Sequence, residues 1–386
     1  MTTSPPKAEV LRAPQQVGLD ALRAFAANLV VVGHALNLYF PQRPRLPLGS
    51  FAVAVFFLLS GFLITSSVLS RPRIEAPRLP AFVADRIARI LTPYLPALLL
   101  VALLDAGLGL SRQGMPGLNA GPLAFVGNAL LLQDYPLFQA ADVLGHDVAW
   151  RIRPYNSAEP FWTVAIEFWI YAVFAGVFFT MVRGERLRRV PLAVMMAVAL
   201  PVFLWNLGGG AGKALSLVWL LGSVAALVNR QLVAALADRA IARLGALVLA
   251  LAALALGAKV KKYGFDPYDL QTTALIALAM FGSVWLLRTV DGTPRWLNAG
   301  VHFVAAYSYS LYLIHNPALV AFLDHPPFGD PLATALAAAV AAHALSFALW
   351  WAFERHHKRV SAWLRPPLER LFLPARGPAK ASRILH

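Results

Sequence analysis

Apolar residues run along this chain in blocks close to the ~20 residues that an α-helix needs to cross a bilayer. The blocks fall at about 18–40, 50–70, 90–110, 158–182, 190–207, 212–229, 243–258, 271–288, 299–323 and 332–353. Ten spans joined mostly by short polar connections predict an all-α, polytopic membrane protein. A shorter apolar piece at 122–132 lies inside the longest connection, about 111–157, which carries Gly, Pro, Asp134, Asp142 and Asp147 and is expected to form an external lid. No repeat of solenoid period appears. The expected division is an N-terminal tail over 1–17, a membrane unit over 18–355 and a basic tail over 356–386. In that tail, basic residues alternate with Trp363, Leu364, Leu368, Leu371 and Phe372, a pattern that fits an interfacial helix on an anionic leaflet or, failing that, a disordered end.

Composition agrees with the pattern. Hydrophobic residues make up 59% of the 386 and charged residues 14%, with a mean hydropathy of +0.61, more than one water-soluble core of this size can hide. Disorder, collagen and nucleic-acid binding are excluded on the same grounds. The net charge of +15 follows from 34 Lys and Arg against 19 Asp and Glu, and its placement gives the orientation. With the N-terminus inside, 24 of the basic residues fall on the cytoplasmic side and 9 outside, with Arg23 left in a span, so both ends are expected in the cytoplasm. Arg71, Arg73, Arg78, Arg86 and Arg89, then Arg183, Arg186, Arg188 and Arg189, then the tail carry most of that bias. Lys259, Lys261 and Lys262 fall outside; either they snorkel at the interface or the seventh and eighth spans end elsewhere. The first apolar block runs to full spanning length with no small-residue cleavage site beyond it, so the first helix is expected to be retained. The absence of Cys removes disulfides, thiolate metal sites and an acyl-cysteine route.

Ionisable groups inside spans are costly, and each is a functional candidate. Arg23 and His34 are eleven residues apart, which places them on one helix face, separated by ~16 Å along the axis. Arg23 sits near the inner surface, suited to an anionic group, and His34 nearer the outer one, suited to a base. The plainer alternative is a snorkelling arginine and a packed histidine. Glu167 lies ~14 Å inside the fourth span and requires a partner. Ser60-Gly61 interrupts the apolar run of the second span, for close approach of a ligand or simply of another helix. Arg86 and Arg89, three apart, share a helix face at the inner surface, for phosphate recognition or lipid head groups. The hydroxyls of Tyr307-Ser308-Tyr309-Ser310-Leu311-Tyr312, ending at His315 and Pro317, point to a polar cavity. His302 and His343 fit packing or helix–helix hydrogen bonds. Gly208-Gly209-Gly210-Ala211-Gly212-Lys213 lacks the first glycine and the Ser/Thr of a phosphate loop and reads as a turn, and His325 with Asp330 brackets two prolines without helical context.

Taken together, Gly18-Leu19-Asp20-Ala21-Leu22-Arg23 with His34, Phe56-Phe57 with Ser60-Gly61-Phe62, Arg86-Ile87-Ala88-Arg89-Ile90 with Pro93, Trp162-Thr163 with Glu167 and Tyr171, and Ser308-Tyr309-Ser310-Leu311-Tyr312 with His315 and Pro317 resemble, in order, the acyltransferase 3 family of membrane O-acyltransferases over roughly residues 18–355. The resemblance implies transfer of an acyl group, most often acetyl, from cytoplasmic acyl-CoA to a hydroxyl on the outer side, commonly of a sugar or glycan, in a bacterial-type inner membrane. It implies His34 as the catalytic histidine, Arg23 at the donor end of the same motif, and Arg86, Arg89 and Ser60 near the donor. Glu167 would orient the acceptor or the imidazole, and Trp162, Tyr309, Tyr312 and His315 would line the substrate site. The resemblance implies acyl-CoA, most simply acetyl-CoA, as co-substrate and a hydroxyl acceptor as partner; no metal, membrane lipid as a further partner and no nucleic acid are expected, with the oligomeric state open. Ala52-Val53-Ala54-Val55 departs from the acidic Gly-Val-Asp-Leu often found in the family before the paired phenylalanines, and no hydrolase-like extra domain is present in the sequence. A neutral His34 would take the acceptor's proton, or would carry the acyl group transiently. The alternative from another class is a transporter or flippase for a lipid-linked sugar, which predicts inverted repeats and broken helices in matched halves; a scaffold gives no reason for buried charges.

Overall fold

The computed structural model describes residues 11–70, 78–110, 119–146, 149–210 and 213–374. Arg71, Arg73 and Asp147, and the side chain of Asp142, named above for charge and for the outer connection, lie outside the described residues, as do Ala211 and Gly212 of the glycine run and the tail beyond 374.

The described chain is helical, with no strand. Helices α1 (Ala13–Tyr39), α2 (Leu48–Leu69) and α3 (Leu79–Leu108) come first; α4 (Gly121–Ala129) and α5 (Pro136–Val143) are short and lie in the long outer connection. Then come α6 (Phe161–Val177), continued by a wider π turn to Val182, α7 (Arg189–Leu207), α8 (Leu215–Ala235), α9 (Asp238–Tyr263), α10 (Leu270–Leu286), α11 (Arg295–Ala306), α12 (Ser308–Asp324), α13 (Pro331–Ala352) and α14 (His357–Phe372). Among the described residues, nine helices are long and apolar enough to cross a membrane, and the protein is an integral, multi-pass membrane protein.

The ninth of the ten expected spans is corrected. The block at 299–323 is not one helix but two, α11 and α12, with the break at Tyr307 (φ −103°, ψ 11°). Restarting a helix exposes amide donors that lipid cannot satisfy. Here the fully buried Glu354 meets one of them, its Oε2 accepting from the Ser310 backbone N–H (3.2 Å) as well as from the Ser310 hydroxyl (2.6 Å). Its charge is offset by Arg89 at 2.9 Å, and a negative group at a helix N-terminus also complements the helix dipole. The other helix starts are more ordinary. Asp269 caps α10 by accepting from the Thr272 N–H (2.9 Å), and Asp330 caps α13 by accepting from the Ala333 N–H (2.7 Å).

Helix α2 is central, packed between α1 and α8, and its polar interruption at Ser60-Gly61 does not break it. A Cβ on Gly61 would stand 2.0 Å from the Trp219 carbonyl oxygen, and one on Gly222 of α8 would stand 2.1 Å from that of Leu58. Two helices meet there backbone against backbone, which only glycine permits and which suits packing in lipid, where small residues replace the hydrophobic drive. Helix α9 is longer than the predicted 243–258, and Lys259 reaches Asp269 (3.0 Å) across the turn into α10, which accounts for cations at that outer end. At the inner face, Arg12 and Arg288 both bind Asp238 and tie the start of α1 to α9 and α10. Helix α14 lies against α3, where Asp85 receives Arg365 (2.9 Å) and the Ser361 hydroxyl; the tail to residue 372 is therefore a helix.

Candidate active site

Two cavities and a histidine pair follow one another from the inner to the outer half of the bundle. The inner cavity has a volume of about 160 Å³ and is walled by α1, α2, α3, α6 and α12. Arg23, Ser60, Arg86, Arg89, Glu167, Tyr309 and Tyr312 all line it, so seven of the ten residues singled out in the sequence converge there from five helices. Arg23 has Asp20 at 3.6 Å and Arg89 has Glu354. Arg86 lies over the rings of Phe82 (5.6 Å) and Tyr171 (5.9 Å), and its buried Nε has no hydrogen-bond partner among the described residues. Three guanidiniums against one lining carboxylate make this an anion-attracting chamber.

The hydrogen bonds around Glu167 have a direction. Trp219 Nε1 can only donate and gives its hydrogen to Ser60 Oγ (3.1 Å); Ser60 in turn donates to the Tyr171 hydroxyl (2.7 Å), and Tyr171 donates to Glu167 Oε1. Every donor in the chain points toward the carboxylate. The Ser-Gly pair thus has two roles: glycine admits α8, and serine links the Trp219 of α8 to Glu167.

The Tyr312 hydroxyl is 2.6 Å from Thr163 Oγ1 and 3.1 Å from the Pro160 carbonyl oxygen, with Phe56 edge-on to its ring at 5.8 Å. Phe56, Thr163 and Tyr312 are all part of the chamber's lining. Beyond it, His34 and His315 meet edge to face with ring centroids 5.0 Å apart. His34 Nδ1 is 2.9 Å from Asn316 Oδ1, while His315, fully buried, directs Nδ1 to the carbonyl oxygens of Tyr312 (2.8 Å) and Leu311 (3.2 Å).

Arg23 and His34 therefore both face the groove between α2 and α12, as their spacing requires; Arg23 lines the chamber, and His34 stands outside its lining, bonded to Asn316. Glu167 lines the same chamber as Arg23, and the side chain hydrogen-bonded to the imidazole is Asn316. Sequence reasoning gave no role to Asn316, Glu354 and Asp105, and named Thr163 only as the neighbour of Trp162 in its motif. Asn316 stood beside His315 in the quoted motif, and an amide amid apolar residues was the available signal.

Trp162 lies elsewhere, in the outer cavity formed by the 119–160 connection and the α7–α8 loop. With it are Asp134, Gln139, Arg151, Arg153, Glu159 and Lys213. Lys213 Nζ is 3.8 Å from the Trp162 ring centroid. Desolvation holds the Lys213 amine below its ordinary range against the opposing pull of Asp134 and Glu159. Nearby, burial pushes the Tyr268 hydroxyl up to about 12. An aromatic face ringed by both signs of charge suits a polyhydroxyl ligand.

The remaining polar residues have structural partners. His302 is exposed, 3.5 Å from Asp20; His343 meets the Tyr307 hydroxyl at 3.1 Å; His325 meets the Leu108 carbonyl, and Asp330 is a helix cap. Among the described residues, no cluster of three or more His, Asp or Glu could hold a metal ion.

The acyltransferase 3 family model, described as an acyltransferase domain, matches residues 16–351. No curated protein and no solved structure gives a match.

Proposed function

The chain belongs to the acyltransferase 3 family, and from that premise we propose that it moves an acyl group, most simply acetyl, from cytoplasmic acyl-CoA to a hydroxyl of a sugar or glycan outside an inner-type membrane. The observation that carries the reading is the placing of an arginine-lined chamber, the Thr163–Tyr312 hydroxyl pair in its wall and the His34 imidazole along the groove between α2 and α12. The donor's phosphates stay at the inner mouth, where Arg23, Arg86 and Arg89 supply charge and Arg86 has an uncommitted N–H. The thioester extends past Ser60 toward Tyr312. The acceptor enters from the side of Trp162 and meets His34.

The chemistry requires one base. The acceptor O–H gives its proton to the imidazole as its oxygen bonds to the acyl carbon; the C–S bond then breaks, and the departing sulfur takes the proton back. Histidine suits both halves because its ordinary pKa lies near 6.5.

The test uses purified full-length protein in nanodiscs with radiolabelled acetyl-CoA and an oligosaccharide acceptor. Released CoA is read with a thiol reagent, which meets no background from a chain without Cys. Label on the acceptor with matching CoA release is the expected result, and H34A abolishes both. A transporter or flippase releases no CoA; that result, or H34A at full activity, overturns the proposal.

A further inference from the structure

We propose that Asn316 is a positioning residue that decides which nitrogen of His34 carries the proton, and that Asp105 and Ser157 hold Asn316 in the orientation this requires. The inference rests on His34 being the base. It starts from an amide with no freedom to turn over. Asn316 is buried, and its Nδ2 donates to the Ser157 carbonyl oxygen at 2.7 Å. A carbonyl oxygen only accepts, so exchanging the two amide atoms would set oxygen against oxygen at a buried position. Oδ1 must therefore face His34.

That fixes the imidazole. Oδ1 only accepts, so the His34 Nδ1 2.9 Å away must carry the hydrogen and donate it. Nε2 is left with its lone pair, which is the form a general base needs. The space beside Nε2 is kept open by a residue without a side chain, since a Cβ on Gly49 of α2 would stand 3.3 Å from Nε2 and from Cδ2.

The orientation is anchored further out. Ser157 donates its backbone N–H to Asp105 Oδ2 (3.2 Å) and its hydroxyl to Oδ1 (2.6 Å), and both residues are buried. Two bonds from one residue to one carboxylate anchor Ser157, whose carbonyl Asn316 reads. The line Asp105, Ser157, Asn316, His34 thus joins α3, the outer connection, α12 and α1. It has the logic of a base held by an orienting group, with a neutral amide next to the imidazole and the carboxylate two residues away. His315 is set similarly by backbone carbonyls, and its buried Nε2 has no partner among the described residues.

The experiment reads the tautomer directly. Full-length protein labelled with ¹⁵N in its imidazoles is placed in nanodiscs, and His34 is identified by difference from H34Q. The wild type is expected to show a protonated Nδ1 and an unprotonated Nε2. In N316L the proton is expected to move toward Nε2, and kcat to fall ~10–100-fold while the donor KM stays within about twofold, the range for a misoriented base with binding intact. N316D, whose neutral acid can donate to the Ser157 carbonyl and accept from His34, is expected to restore the Nδ1–H form and at least about a tenfold gain in kcat over N316L. An Nε2–H tautomer in the wild type overturns the inference even if no variant folds, as does N316L with wild-type tautomer and kcat. Where H34Q is inactive and N316L fully active, the inference alone fails. Where H34Q is active, the assignment of the base fails with it.

Discussion

Replacing Glu354 by Gln tests whether a buried carboxylate holds the broken helix. Glu354 is fully buried and has three partners: the Arg89 guanidinium at 2.9 Å and the N–H and hydroxyl of Ser310. Gln keeps an oxygen for Ser310 and loses the charge facing Arg89. Removing one member of a fully buried ion pair costs about 3–5 kcal/mol. The Arg89 side chain retains 31% exposure, and water reaching it reduces the expected loss to about 2 kcal/mol. In a chain of 386 residues that corresponds to a fall in Tm of roughly 2–5 °C. E354A also strands the two Ser310 donors and should cost about two to three times as much. Unfolding is followed by intrinsic tryptophan fluorescence in detergent at fixed lipid content. A double-mutant cycle with R89M isolates the pair, with an expected coupling above about 1 kcal/mol. An E354Q protein melting within about 1 °C of the wild type, or additive E354Q and R89M effects, would refute the claim that this carboxylate secures the start of α12.

Further outcomes follow from other contacts. R86A should raise the acyl-CoA KM about 10–100-fold, the worth of one charge-assisted contact, while kcat stays within a few-fold; initial rates over a donor series check this, and an unchanged KM removes Arg86 from the donor site. G61A should cost about 3 kcal/mol or more and reduce monodisperse protein in size-exclusion profiles, because its Cβ would lie 2.0 Å from a backbone oxygen. G107A, with nothing within 4 Å of the added atom, is the neutral control. Asp269 is held below the usual carboxylate range, first by the Thr272 N–H and then by Lys259. Its stabilising effect is thus present above the unfolded value of about 4 and disappears as pH falls through the lower folded value. Melting temperatures of the wild type should therefore drop on acidification in that window by more than those of D269N.

The lipid-spanning plan was legible because hydrophobicity in 20-residue blocks is a local property, and the cost of a buried charge made Arg23, His34 and Glu167 conspicuous. The break at Tyr307 was not, since Phe303 to Leu313 stays apolar enough to read as one span and the carboxylate that permits the break lies 44 residues from Ser310. Helical periodicity put Arg23 and His34 on one face and could say nothing of what lay between them. The Tyr312–Thr163 contact joins positions 149 apart, and Asn316 is 282 residues from His34. Ser60-Gly61 shows the same limit: the sequence showed that something approached closely, and only the fold shows that it is the backbone of α8.

The hydroxyl pair of Thr163 and Tyr312 bears on more than the wall of the chamber. Where a membrane stores energy as a proton gradient, a conduit of hydroxyls and imidazoles open at both ends would conduct protons and dissipate it. Tyr312 and Thr163 give their hydrogens to each other and to the Pro160 carbonyl oxygen, so neither hydroxyl donates to Glu167 or to His34. Such a protein can expose a base toward one compartment and a charged chamber toward the other without becoming a leak, provided the two hydroxyls keep their hydrogens so committed.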